Sequence, residues 1–160
     1  ALGRVGSGVI DLCKKMNIKT TKWDIKETTT KGNFSEILNH DLFFNCVVSN
    51  KETPTFISEE IIQNGQNLSI IGDIACDPGS MNNPIAVYND VTTWSEPVTR
   101  VSENPILDVM AIDNLPSLLP LESSIDFASQ LLPSLMEIDK INESVWLRAH
   151  QTYLDNVELI

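Results

Sequence analysis

The chain has 160 residues, a length that fits one domain or one domain with an appendage. Its 42% hydrophobic share supports an ordinary packed core, and its 21% charged share argues against global disorder. With 22 acidic residues against 11 Lys and Arg, a net charge of −11 disfavours nucleic-acid and membrane-surface binding. Backbone N–H groups can still hold a phosphate locally without any basic excess. No apolar run reaches the roughly 18 residues of a membrane-spanning helix. Three cysteines (Cys13, Cys46, Cys76) with no C-x-x-C spacing fit free thiols in a reducing compartment better than a disulfide scaffold or a zinc site.

The chain opens on Ala1-Leu-Gly-Arg-Val-Gly-Ser-Gly8, a glycine-rich stretch without an initiator Met that runs straight into a helical pattern. It is therefore expected to be the carboxyl portion of a longer protein. Val9, Leu12, Cys13 and Met16 fall at i, i+3, i+4 and i+7, the spacing of one helix face. Thr20 to Ile25 is β-like and carries Trp23 and Asp24; Lys26 to Asn33, with Gly32, is a loop; a short helix is expected around Phe34 to Leu38.

Leu42 to Val48 and Leu68 to Ile74 are near-continuous apolar runs of strand length, the pattern of parallel strands covered on both faces. Between them Ser58 is placed to cap a helix through Gln63 that ends near Asn64-Gly65. The turn-rich Cys76-Asp-Pro-Gly-Ser80 closes the second run. Pro84 to Tyr88 and Val98 to Val101 read as short strands or loops, and Ile106 to Ile112 as a further β-like run. From Leu115 onward the pattern is helical: Pro116 to Pro120, Ser123 to Leu132 and Glu143 to Val157. In the last of these Trp146, Ala149, Tyr153 and Val157 form a stripe that needs a partner surface. Strands and helices alternating at this spacing give an α/β domain of βαβ units around a parallel sheet.

Gly3, Gly6 and Gly8 sit where a phosphate-binding turn would precede its helix, since glycine lets backbone N–H groups approach a pyrophosphate at the positive helix end. The strand that should come before the turn is missing, as is the first glycine of a full motif, and a plain helix-start turn is the alternative. Asp24 lies 21 residues after Gly3 and 18 after Gly6, close to the interval at which an acidic side chain accepts hydrogen bonds from an adenosine ribose. Its charge would repel the extra phosphate of NADP, so NAD is the expected cofactor; the bland reading is a solvated strand-end aspartate.

Several words occur in order: Ala1 to Gly8, Lys22-Trp-Asp-Ile-Lys-Glu-Thr28, Asp41-Leu-Phe-Phe-Asn-Cys46, Asn83-Pro-Ile85, Ile112-Asp-Asn-Leu-Pro-Ser-Leu-Leu-Pro120, Leu131-Leu-Pro-Ser-Leu135 and Val145-Trp-Leu-Arg-Ala149. Together they resemble the NAD-dependent, lysine-forming saccharopine dehydrogenases of fungal lysine biosynthesis, over essentially the whole chain and at the carboxyl portion of those enzymes. The resemblance implies a Rossmann-type parallel sheet with flanking helices, its first strand missing, over residues 1–117. A helical tail over 118–160 would return to pack on an absent amino-terminal substrate domain. It further implies oxidation of saccharopine with NAD and water to lysine, 2-oxoglutarate and NADH, by an enzyme monomeric at full length.

Carried across by position, the resemblance puts Gly3 and Arg4 at the pyrophosphate loop and Asp24 and Thr28 at the adenosine ribose. Val48, where the family tends to have tyrosine, would lie on the adenine side. Ile74 would contact the cofactor, Ala75, Cys76 and Asp77 would face the substrate, and Ile112, Asp113, Asn114 and Leu115 would border the nicotinamide. The family commonly shows Ser-Ala-Asp in place of Ala75-Cys76-Asp77 and His in place of Asn114. Val5 replaces a cysteine that could bridge to the position of Cys46, which excludes that disulfide here. The stretch Glu103 to Leu107 lacks the family's glycine-containing loop.

Reversible proton transfers in such a reaction need acid–base groups poised near working pH. In the family a lysine and a histidine of the amino-terminal half supply them, so no catalytic residue is expected in this chain. His40 and His150 read as surface histidines, Cys76 as a small filler without an activating neighbour, and Asp113 as a hydrogen-bonding or loop-capping residue. The acidic residues are scattered, so no metal site is expected. The visible end, Val157-Glu-Leu-Ile160, lacks a peroxisomal signal, giving an expectation of cytoplasmic location. Two rival readings are an alanine-dehydrogenase-like oxidoreductase and a degenerate nucleotide- or protein-binding remnant without activity.

Overall fold

The structure, a computed structural model, describes residues 2–30, 34–62 and 67–157. Gly32, Asn33, the helix end expected at Asn64-Gly65 and the last three residues lie outside the described residues. The chain divides into two compact units, Ala1–Asp113 and Asn114–Ile160.

The first unit opens with helix α1 (Arg4–Lys15), whose N-cap is Gly3. It ends in a Schellman motif: Asn17 N–H donates to Lys14 O at 3.2 Å and Ile18 N–H to Cys13 O at 2.8 Å. Asn17 takes the left-handed conformation this requires, with φ 55°, an asparagine in the role glycine usually fills. Gly6 and Cys13 are buried, whereas Leu12 and Met16 are exposed, so the covered face of α1 is rotated from the stripe drawn through Val9, Leu12, Cys13 and Met16.

The β-like stretch Thr20 to Ile25 is not a strand. Asp24 instead caps a short helix, α2 (Ile25–Thr30). Its main-chain N–H donates to Glu27 Oε2 at 2.8 Å, and its carbonyl accepts from Glu27 N and Thr28 N, both at 3.1 Å. This reciprocal cap satisfies main-chain groups locally. Thr20, Thr21, Trp23 and Ile25 favour extended backbone, but a strand needs a neighbouring edge, and among the described residues none pairs with them.

After a 3-10 turn at Ser35–Asn39 come β1 (Leu42–Asn45), β2 (Ile57–Ser58), α3 (Glu59–Ile62), β3 (Ile70–Asp73), β4 (Ile85–Ala86), β5 (Thr99–Glu103) and β6 (Ile106–Met110). The main sheet has the order β1-β3-β6-β5, and β2 and β4 form a small parallel pair. β1, β3 and β6 run parallel, with Asn45 opposite Asp73 and Gly72 opposite Met110. The purely parallel sheet expected from the alternation therefore needs one correction: β5 is antiparallel to β6. Only Asn104 and Pro105 separate these strands, a tight connection that can join antiparallel neighbours, whereas a parallel pair needs a crossover of a dozen residues or more.

Leu68, Ile71, Leu107, Val109 and Ala111 are fully buried and join Phe34, Ile37, Phe56, Ile57 and Ile85 in one core. Along β6 burial alternates, with Ile106 exposed and Leu107 and Val109 covered. The expectation that the central runs are covered on both faces thus holds only in part, since Leu42 and Ile70 are exposed.

The second unit has a 3-10 turn at Leu115–Leu118, helix α4 (Pro120–Leu135) and helix α5 (Ser144–Val157). Pro120 at the first position starts α4 earlier than Ser123, since proline is pre-set for that place. Trp146 Nε1–H donates to Ser134 O at 2.7 Å, linking the two helices. Neither helix buries a residue, and Leu121, Ile125, Phe127, Leu132 and Tyr153 are exposed.

Candidate functional site

The glycine turn and Asp24 meet. Asp24 Oδ1 accepts a long hydrogen bond, 3.4 Å, from Leu2 N–H across 22 residues of sequence. Thr28 Oγ1–H reaches Asp24 O at 3.2 Å. Gly3 caps α1 with no side chain doing so, no acidic residue lies in the first turn, and a Cβ on Gly3 would meet nothing within 4 Å. Space is thus open where a side chain on Gly3 would project at the head of α1, and the Asp24 carboxylate lies beside that turn. Arg4 is the first residue of the helix. Glu27 is occupied in the cap of α2; main-chain hydrogen bonds hold its carboxyl below the usual range.

Between α1, residues 18–23 and β1 lies a cavity of about 380 Å³, lined by Val9, Ile10 and Cys13 on one side and Phe44 and Cys46 on the other. His40, read from sequence as a surface residue, is half-buried on its wall. Among the described residues no strand pairs with the outer edge of β1.

A second set of sequence-derived residues gathers at the carboxyl ends of three adjacent parallel strands. Ile74, Ala75, Cys76 and Asp77 follow β3 directly, and Ile112 and Asp113 follow β6, with Ile112 bridging in parallel to Thr92. Val48 lies three residues beyond β1, which ends at Asn45 rather than Val48, and is 92% exposed. Ligands of open α/β sheets bind beyond such strand ends. Cys76 is partly buried, and burial first, then the charges of Asp73, Asp113 and Asp77, push its thiol up, which makes it a poor nucleophile. Asn114 and Leu115 belong to the second unit; Asn114 adopts φ 54°, a conformation asparagine tolerates better than most residues, and caps the turn that Leu115 begins.

Sequence reasoning missed three side chains at this edge. Asn45 Nδ2–H donates to Asp73 Oδ1 at 2.8 Å, and Tyr88 O–H donates to Asp73 Oδ2 at 2.8 Å. Asn45 is 1% exposed, Asp73 0% and Tyr88 7%. Burial raises the Asp73 carboxyl, against the opposing pull of hydrogen bonds from Tyr88, Asn45 and the Ala75 N–H. Burial and the neighbouring carboxylate raise the Tyr88 hydroxyl. A polar residue interrupting each apolar run was the available signal.

Among the described residues no group of three or more His, Cys, Asp and Glu could hold a metal ion, and no helix is long and apolar enough to cross a membrane. The model of the alanine dehydrogenase/PNT C-terminal domain matches residues 9–157. The chain is 45% identical over 160 residues to the Candida albicans saccharopine dehydrogenase [NAD(+), L-lysine-forming], covering 96% of this chain and 42% of that protein. It is 40% identical over 161 residues to the enzyme of the same name from Schizosaccharomyces pombe, covering 96% and 44%. An alanine dehydrogenase from Lysinibacillus sphaericus is 32% identical over 108 residues, covering 66% of this chain and 27% of that protein. The chain spans 42% to 45% of the length of the curated saccharopine dehydrogenases it matches. With the parallel strands β1, β3 and β6 all inside the matched residues, the chain belongs to the alanine dehydrogenase/PNT C-terminal domain family.

Proposed function

We propose that the chain is the carboxyl, cofactor-binding part of a longer oxidoreductase that oxidises L-saccharopine with NAD and water to L-lysine, 2-oxoglutarate and NADH. The observation that carries this reading is the Asp24 carboxylate standing beside the glycine turn at the head of α1. The similarity to enzymes named for lysine-forming saccharopine dehydrogenation, over 96% of the chain, supports saccharopine as the substrate.

The residues present fit the nucleotide. Main-chain N–H groups at the start of α1 would take the pyrophosphate, which can approach because Gly3 projects no side chain into the open space there. Asp24 would accept from the ribose hydroxyls, with Thr28 holding the main chain of Asp24. Ile74, Ile112, Asp113, Asn114 and Leu115 would line the nicotinamide half, and Ala75, Cys76 and Asp77 would meet the amino-acid substrate. NAD, when bound, supplies the hydride acceptor. This chain supplies binding and orientation, and the acid–base pair comes from an amino-terminal domain.

That domain is also the proposed partner of the tail, in a division at residues 117 and 118. It would cover Leu121, Ile125 and Phe127, which are exposed here. An upstream strand would occupy the cavity beside β1. The free thiols suit a cytoplasmic enzyme, which we take to be monomeric at full length.

The test is to assay the full-length protein with NAD and saccharopine, alanine or other amino acids. NADH production on saccharopine is the expected result; turnover of alanine alone, or of none, overturns the assignment.

A further inference from the structure

The Asn45–Asp73–Tyr88 cluster stands where two strand exits diverge. Asn45 Oδ1 accepts from Val47 N–H at 3.2 Å, and Asn45 O accepts from Ile74 N–H at 3.0 Å. Asp73 accepts from Asn45 and Tyr88, and the Ala75 N–H turns back onto its carboxylate. Tyr88 arrives from the segment after β4, and its hydroxyl also meets the Asn83 side chain, whose Oδ1 in turn takes Ile85 N–H at 2.9 Å. The exit of β1, the exit of β3 and the segment around β4 are thereby joined through one buried carboxyl group.

Such a device is an expensive way to gain stability. Well-packed apolar residues usually stabilise as much as a buried ionisable group, whereas a fully satisfied polar network imposes one geometry on the segments it joins. Here the segment held is the turn at 74–77. We propose that Asp73, braced by Asn45 and Tyr88, is a positioning residue that sets the turn Ile74-Ala75-Cys76-Asp77 at the width the amino-acid substrate requires. The inference rests on the proposed placement of the substrate against that turn.

The chemistry of the cluster supplies a selective test in the full-length enzyme. Asp73→Asn leaves one acceptor for two donors: with the amide oxygen toward Tyr88, its NH₂ faces Asn45 Nδ2, and rotating the Asn45 amide forfeits the Val47 N–H; with the oxygen toward Asn45, the Tyr88 proton loses its acceptor. Adding Asn45→Asp restores three of these partners in mirrored form: Tyr88 O–H to the new amide oxygen at 73, its NH₂ to the new carboxylate at 45, and Val47 N–H to that same carboxylate. At a temperature where circular dichroism shows all variants folded, D73N is expected to raise the saccharopine KM about 10-fold or more. The NAD KM should rise at least about threefold less than the saccharopine KM, because Ile74 alone of this turn is placed against the cofactor, and N45D/D73N should recover most of both losses. Tyr88→Phe, the gentler variant, should shift the saccharopine KM in the same direction.

Amide hydrogen exchange over residues 74–77, which needs no substrate, should accelerate about 10-fold in D73N and return in the double variant. A D73N enzyme that melts earlier but keeps its saccharopine KM, or raises both KM values equally, or shows unchanged exchange at 74–77, overturns the proposal. A wild-type enzyme inert to saccharopine would instead sink the functional reading, while the exchange measurement still decides this one.

Discussion

Replacing Asp24 by alanine separates cofactor binding from folding, because the cap of α2 uses this residue through its main chain. The cap of α2 is made by Asp24 N and Asp24 O, which the substitution leaves in place. Its side chain accepts from Leu2 N–H at 3.4 Å, a bond that is exposed and at the long end of hydrogen-bonding distance. Loss of that contact costs about 0.5 kcal/mol or less. A ribose hydroxyl donating to a carboxylate is worth more: one hydrogen bond to a charged acceptor contributes roughly 1.5–3 kcal/mol, so NAD affinity should fall at least roughly 10- to 150-fold. Removal of the negative charge should also narrow the preference for NAD over NADP. Calorimetric titration of NADH and NADPH into full-length wild type and Asp24→Ala, with thermal melts of each, reads both quantities. An affinity unchanged within about twofold would refute the ribose assignment. A melting temperature that collapses in step with the affinity would refute the separation of roles.

Gly72→Ala should destabilise by about 1–3 kcal/mol, because a Cβ would stand 2.6 Å and 2.7 Å from two ring atoms of Phe44; Phe44→Leu should relieve most of this, and an equal cost in both backgrounds by urea denaturation would count against the packing argument. Burial raises the Asp73 carboxyl above its ordinary 3.8, so its contribution to stability is complete below that value and is withdrawn as pH rises through the folded value. Tyr88→Phe removes a hydrogen bond that favours the carboxylate and so raises the group further. The stability gap between Tyr88→Phe and wild type should therefore widen as pH rises above 3.8, and a constant gap from about pH 3 to 7 would contradict the linkage. Expressed by itself, the 160-residue chain should bind NAD weakly and self-associate, because among the described residues no strand covers the outer edge of β1 and the cavity beside it offers apolar surface. Sedimentation showing a stable monomer, with calorimetry showing tight NAD binding, would overturn that expectation.

What was legible in the sequence followed from local chemistry. The runs beginning at Leu42 and Leu68 are strands because apolar residues of strand length between turn signals have few other solutions, and β1 and β3 pair in parallel as their composition implied. The tail was equally plain, since Trp146 and its neighbours repeat at helical spacing in a segment that forms α5. The glycine turn and Asp24 could be coupled from their interval along the sequence, and the two do lie together although residues 20–25 form no strand.

The failures arose where a neighbour decides the outcome. Thr20 to Ile25 has strand composition but no partner edge among the described residues, and the Asp24–Glu27 cap claims its end for a helix. Whether β5 runs with or against β6 depends on a two-residue connection, a constraint that residue composition in the flanking runs does not carry. Asn45, Asp73 and Tyr88 posed the harder problem, because hydrogen bonds spanning 28 and 15 residues are set by register rather than by local pattern. A polar residue in an apolar run nevertheless raises an answerable question, since once buried it must find a partner or destabilise the fold. Asn45 and Asp73 are the buried last residues of β1 and β3, and parallel pairing in register sets them opposite one another. Asking where their hydrogen bonds go would have pointed from each to the other. Only Tyr88, delivered by the irregular segment after β4, required the three-dimensional structure.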